Sequence, residues 1–292
     1  MKIDLVQTTT KDDLILNGLF IDGNINKPAV ILIHGFTSDF YTHKFFHAIQ
    51  ETLRGSNISS VAIQTRGTGI KTEFLKSNRK DGLWLGSFYE KLEDAHLDIT
   101  AWIEFLISKG YKEIILLGHS LGTLKTVRYL IEGKYKDIIK RIVLLAPFDK
   151  NGSIERLTNG KWKEYVKIAN QKCIDRLGQE IIPEFYDEYP MSYQNFASWY
   201  SDTEFNCMWD FYRHSTYDFP TLNKILIPVE IIVGDKDDCF YIPEFSNIEN
   251  TKKVLQDNIR DLEFHLIDGS EHTYVGFEEE VSKLVSDFIV SN

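Results

Sequence analysis

Cysteine is scarce in this chain. Three Cys in 292 residues, at 173, 207 and 239, lie far apart and lack the paired spacing of a disulfide framework or a zinc site. Such usage suits a reducing compartment. Long apolar runs are missing as well: no uninterrupted stretch approaches the roughly 20 residues that span a bilayer. The opening Met1-Lys2-Ile3-Asp4-Leu5 carries no signal-peptide core. These absences predict a cytoplasmic protein without membrane insertion. Basic charge is outnumbered, 33 Lys and Arg against 43 Asp and Glu. The resulting net charge of −10 argues against nucleic acid and anionic membrane surfaces as partners. Internal repeats and low-complexity tracts are also lacking. What is there is an ordinary core-forming composition, 43% hydrophobic and 26% charged, sufficient for a substantial globular core.

Within that composition one segment carries chemistry. Gly118-His119-Ser120-Leu121-Gly122 follows directly on the apolar run Ile114-Ile115-Leu116-Leu117. After Gly122, Leu124, Val127 and Leu130 recur at helical spacing. A Ser hydroxyl is a weak nucleophile until a base takes its proton and the backbone presents it at an exposed turn. Small residues two positions either side permit that turn, because the neighbouring strand and helix must pass close to it. The order strand, G-x-S-x-G, helix is the nucleophile-elbow arrangement, and it nominates Ser120.

The groups such a Ser needs have candidates elsewhere in the chain. Ala29-Val30-Ile31-Leu32-Ile33 reads as a strand buried on both faces and ends in His34-Gly35-Phe36. In the elbow arrangement one oxyanion donor comes from this turn and one from the residue after the nucleophile, here the backbone N–H groups of Phe36 and Leu121. Pro228 to Gly234 reads as another buried strand, followed by Asp235-Lys236-Asp237-Asp238, where three carboxylates compete to orient an imidazole. Leu262 to Ile267 alternates like a strand near a sheet edge and runs into Asp268-Gly269-Ser270-Glu271-His272-Thr273. His272 therefore stands in the last loop before the C-terminal helical pattern, downstream of Ser and Asp. That chain order nominates it as the base.

With these residues the chain resembles the α/β-hydrolase superfamily, in its serine esterase, lipase and acyltransferase branch. The resemblance covers roughly Ile3 to Asp149 and Leu222 to Val290, and Arg66-Gly67-Thr68-Gly69 is similar to a turn many such enzymes carry. Where those enzymes place an Asp shortly before the Arg, this chain has Gln64-Thr65. The resemblance selects Asp237 as the acid, three residues past Gly234. Asp149 is the outside candidate, since some relatives carry the acid after the strand that here ends at Ala146. It also implies catalysis without cofactor or metal.

Alternation of buried strands with helical patterns, such as Tyr41 to Leu53 and Phe88 to Ser108, implies a mostly parallel central sheet with helices on both faces. An antiparallel pair, Ile3 to Val6 and Leu14 to Ile21, opens the chain. The alternation fails between Asp149 and Pro220, a stretch crowded with aromatics from Trp162 to Phe219 and too long for a structureless loop. The expected organisation is a hydrolase core of residues 1–148 and 223–292 with a largely helical cap, or lid, of residues 149–222. The expected activity is cleavage of a carboxylic ester or related acyl compound through an acyl-Ser120 intermediate. A small-molecule substrate with an apolar or aromatic group is the expected partner. The same triad would serve a thioesterase, an amidase or an acyltransferase. A hydrolase-fold binding protein without chemistry is the alternative from another class.

Overall fold

Runs of residues that are apolar on both sides of the chain can only be buried between two layers of helix, and the central strands are built from such runs. In the computed structural model, which describes residues 3–187 and 189–291, the chain opens with β1 (Asp4–Thr9), β2 (Ile15–Ile21), β3 (Ala29–Ile33) and β4 (Ser60–Ile63). A hairpin of β5 (Thr72–Leu75) and β6 (Gly82–Leu85) follows, then β7 (Ile114–His119), β8 (Ile139–Leu145), β9 (Val229–Gly234) and β10 (Leu262–Ile267). Met1, Lys2 and Asn292 of the expected core and Glu188 of the expected cap lie outside the described residues.

Eight strands form one sheet in the order β1-β2-β4-β3-β7-β8-β9-β10. The pairs β1/β2 and β2/β4 are antiparallel, and every later pair is parallel. The helices are α1 (Lys44–Gly55), α2 (Ala95–Ser108), α3 (Leu121–Glu132), α4 (Lys150–Leu157), α5 (Trp162–Ile174), α6 (Tyr193–Trp199), α7 (Ile248–Asn258) and α8 (Glu278–Val290). Strand alternation sorts the core into two faces. Ile31, Ile33, Leu116 and Ile142 pack with Trp102 and Ile103 of α2 and Leu124 and Val127 of α3. Val30, Leu32, Leu117 and Val143 pack on the opposite face with Phe45 and Ile49 of α1 and Val281 and Val285 of α8.

The helical pattern expected from Phe88 starts later, at Ala95, after a single 3-10 turn over Leu92–Asp94. The preceding residues form a turn closed by the N–H groups of Tyr89 and Glu90 on the carbonyl of Gly86, and Asn195 holds it by donating to the carbonyls of Ser87 and Glu90. Between β8 and β9 the chain forms α4, α5, α6 and short 3-10 turns. Phe185, Phe196, Trp199, Trp209 and Phe211 from this stretch pack in the same cluster as the α2 and α3 face. Parallel pairing brings the C-terminal ends of β3, β7, β9 and β10 to one edge of the sheet, where open α/β sheets place their ligand sites.

Candidate active site

The turn after β7 brings Ser120 to that edge in a costly backbone conformation. Its φ of 54° and ψ of −122° place a non-glycine residue on the positive-φ side of the map, where an L side chain is strained. The turn is tight enough that a Cβ on Gly122 would lie 2.3 Å from the carbonyl oxygen of Ile33 and one on Gly118 would lie 2.4 Å from that of Gly122. The G-x-S-x-G spacing thus follows from close passage of β7 against α3 and β3. Ser120 is largely buried, with its Oγ turned to the imidazole of His272 at 2.9 Å.

His272 bridges two partners. Its Nε2 faces Ser120 Oγ, and its Nδ1 lies 2.9 and 3.0 Å from the two carboxylate oxygens of Asp237. With a carboxylate at Nδ1, that nitrogen carries the proton and donates, leaving the Nε2 lone pair to accept the Ser hydroxyl proton. Asp237 is buried, and its Oδ1 also accepts from the backbone N–H groups of Cys239 at 2.9 Å and Phe240 at 3.1 Å. Those bonds fix the carboxylate before the imidazole meets it. Asp235 is engaged elsewhere, accepting from Gly269 N–H at 2.6 Å. Asp149 caps α4, accepting from the N–H groups of Gly152 and Tyr212, each at 2.8 Å. Of the carboxylates weighed from the sequence, Asp237 is the one bonded to His272.

Gly35 and Phe36 border Ser120 from the β3 side. A Cβ on Gly35 would stand 2.8 Å from that of Ser120, so the β3 turn runs against the Ser itself. Leu121 opens α3, and the first N–H groups of a helix have no partner within it. They also carry the positive end of the helix dipole. A cavity of about 310 Å³ opens here, lined by Thr37, Ser38, Asp39, Thr42, His43, His119 and Thr273 besides the residues already placed.

A family model described as serine aminopeptidase, S33, matches residues 24–280. The chain belongs to this family of α/β-hydrolases. A Mycoplasma pneumoniae protein whose name places it among esterases and lipases is 25% identical over 251 residues, covering 83% of this chain and 81% of that one. A phospholipase A1 of Vespula maculifrons is 29% identical over 177 residues, 56% of each chain. The ferulic acid complex of Est1E from Butyrivibrio proteoclasticus matches 98% of both chains with a TM-score of 0.64 at 19% identity. At that identity the likeness speaks for the fold.

Three features of this α/β-hydrolase were hidden in the sequence. His43 sits just before α1 and faces the cavity, with its Nε2 2.6 Å from Ser38 Oγ. Burial holds its basicity below that of a free imidazole. His119 is buried, and its Nε2 donates to the carbonyl of His272 at 3.0 Å, tying the last loop to the end of β7. Burial, with a smaller repulsion between its charged form and that of nearby His272, drives its pKa well down, so it stays neutral. His34 is neutral for the same first reason, burial with Lys125 close by, and its pKa falls to about 3. Its Nε2 accepts from Thr65 and Thr68 hydroxyls at 3.0 and 2.9 Å, so it pins the turn after β3 to the Arg66-to-Gly69 turn. Beneath that turn Arg66 pairs with buried Asp98 at 2.9 Å, and buried Lys125 pairs with Glu90. Gln64, where related enzymes have an Asp nearby, accepts from the backbone N–H of Asn17. The resemblance flagged the turn, but only tertiary contacts reveal its ion pairs.

Asp237, Cys239 and His272 also bring potential metal-ligand atoms within 4.8 Å of one another. Two of the three are bonded to each other, and burial beside Asp237 and Asp238 raises the Cys239 thiol pKa, keeping it protonated. That donor set suits proton transfer better than metal. No helix among the described residues is long and apolar enough to cross a membrane.

Proposed function

We propose that this α/β-hydrolase cleaves carboxylic esters through an acyl-Ser120 intermediate. The observation that carries the reading is the continuous array Ser120 Oγ to His272 Nε2 at 2.9 Å and His272 Nδ1 to Asp237 at 2.9 Å. In this reading Ser120 Oγ attacks the carbonyl carbon while its proton passes to His272 Nε2. Asp237 stabilises the imidazolium and holds its orientation without taking the proton. The N–H groups of Phe36 and Leu121 donate to the developing oxyanion, worth roughly 3 kcal/mol for each donor in comparable sites. His272 then protonates the leaving alcohol. Water, deprotonated by the same imidazole, attacks the acyl carbon, and the imidazolium returns the proton to Ser120 Oγ as the acyl–oxygen bond breaks and the acid leaves.

An ester is favoured over an aminopeptidase substrate by the cavity's charge. An aminopeptidase must hold a free ammonium, and the lining contributes one carboxylate, Asp39. That carboxylate is committed to its own loop: Oδ1 accepts from the N–H groups of Tyr41 and Thr42 at 2.8 and 2.7 Å, and Oδ2 from the Thr42 hydroxyl. The relatives named as esterase, lipase and phospholipase point the same way.

The cavity also has two distinct walls. Thr37, Ser38, Thr42 and His43 form a polar side. Phe36, stacked with Tyr189 at 6.1 Å and edge-on to Trp199 at 4.9 Å, connects the site to the aromatic stretch after β8. We assign the apolar group of the substrate to the Phe36 side and a compact polar group to the hydroxyl side, with residues 149–222 acting as the lid. The test is labelling by a fluorophosphonate probe, followed by a screen of short and long p-nitrophenyl esters beside amide and thioester analogues. Covalent labelling at Ser120 with ester turnover is expected. A folded protein that leaves the probe untouched would instead be a binding module. Turnover of amide with ester left intact would reassign the leaving group.

A further inference from the structure

The strand pair at the far edge of the sheet holds a buried carboxylate that nothing in the hydrolase mechanism uses. Glu230 lies in β9, directly opposite Glu263 of β10 in the parallel register, and His265 follows two residues after Glu263. Side chains two apart share a face of a strand. The three therefore project from the face that carries Ile232 and Ile267 and is covered by α8.

Glu230 is 0% exposed, and neither of its carboxylate oxygens has a hydrogen-bond partner among the described residues. An isolated buried carboxylate is among the costliest groups a fold can contain unless a cation or a proton meets it. Burial first, and then the acidic Glu263 and, from α8, Asp287, push its pKa up to about 8. The imidazole is the closest cationic candidate, with His265 Nε2 3.5 Å from Glu230 Oε1 and 3.0 Å from Glu263 Oε1. Those spans are close to the edge of a tetrahedron of ligands around zinc, about 3.4 Å for bonds near 2.1 Å. One nitrogen with two carboxylates is a donor set that suits zinc better than magnesium or calcium. The side chains of His265 and Glu263 are 27% and 54% exposed, which leaves an entry path for an ion.

We propose that Glu230, Glu263 and His265 form a binding site for a zinc-type divalent cation, separate from the Ser120 cavity, that staples β10 to β9. The ion would take Glu230 Oε1, a Glu263 oxygen and His265 Nε2, with water completing the tetrahedron. Occupation neutralises the orphaned carboxylate and braces the strand that leads into the His272 loop. The site is therefore expected to govern stability rather than the chemical step.

The test titrates zinc into metal-free full-length protein, reading stoichiometry by calorimetry and melting temperature with and without EDTA. Because Asp237, Cys239 and His272 also cluster, each measurement is made on wild type, His265→Ala, Glu263→Gln and His272→Ala. One equivalent of zinc and a rise in Tm are expected for wild type and for His272→Ala. His265→Ala should weaken binding at least tenfold and lose the Tm rise. The exposed position of Glu263 keeps Glu263→Gln folded, and it should show an intermediate loss. Absence of zinc binding by the wild type would overturn the proposal. So would binding that survives His265→Ala and vanishes in His272→Ala, since the ion would then belong to the Ser120 site.

Discussion

At the scale of single residues, the proposed chemistry depends on one proton path, and groups that act as a unit fail together. Ser120→Ala and His272→Ala should each lower kcat for an ester by several orders of magnitude, and the double variant should be little worse than either. Steady-state kinetics on the three variants checks this; near-normal turnover in His272→Ala would remove it as the base. The carboxylates separate by what they touch. Asp237→Asn should cost far more activity than Asp235→Asn or Asp238→Asn, because it faces the Nδ1–H of His272. Asp149→Asn should behave differently again. Its oxygens cap α4 and hold Tyr212 N–H, so the expected loss is about 1 kcal/mol or more of stability with kcat retained. Urea denaturation alongside turnover distinguishes the two kinds of loss.

At the scale of elements, what could be read from sequence tracks what a short window of residues can express. Strand β3, the Ile114–Leu117 part of β7 and the Ile142–Leu145 part of β8 are continuous apolar runs buried on both faces, and β9 is such a run interrupted by Glu230, so their composition announces them. Ser120 is legible because it sits in the turn at the end of such a strand, and His272 because it stands in the last loop, after the alternating strand β10 and before the C-terminal helix. The β5–β6 hairpin carries no such signal: Leu75, Leu83 and Trp84 are exposed, and no alternating buried face marks it. Lys125 has the same difficulty in reverse, as a charged residue on a helix that nonetheless lies buried against Glu90. Which aromatics between β8 and β9 face solvent was equally beyond the sequence. Trp199 at the end of α6 is 0% exposed, while Tyr186 is 56% exposed. Trp199→Ala should therefore destabilise the fold by about 3–5 kcal/mol, and Tyr186→Ala should stay within about 0.5 kcal/mol of wild type. If thermal melts rank the two in the other order, the packing of α6 against the hydrolase core is wrong.

At the scale of the whole molecule, neutral histidines and buried ion pairs beneath the active edge couple folding to pH with opposing signs. Glu90 has its pKa raised by burial against the pull of Lys125. A raised carboxylate favours the fold at low pH and loses that contribution as pH climbs through its folded value. His34 works the other way. Its folded pKa is about 3 against an ordinary 6.5. Below pH 6.5 the unfolded chain takes up a proton that the folded chain refuses, so this contribution is complete above 6.5 and shrinks as pH falls toward 3. The slope for one such group approaches about 1.4 kcal/mol per pH unit. Because Glu90 and the other carboxylates are shared, the difference between wild type and a His34→Gln variant isolates the imidazole. The variant should be less stable at pH 7.5, where it weakens the ties between the turn after β3 and Thr65 and Thr68. Its loss of stability between pH 6.5 and 4 should be shallower by roughly that slope. Urea midpoints measured across this range decide it. Parallel curves would mean that His34 binds a proton equally in the folded and unfolded chain, and the acid sensitivity of this edge would have to come from other groups.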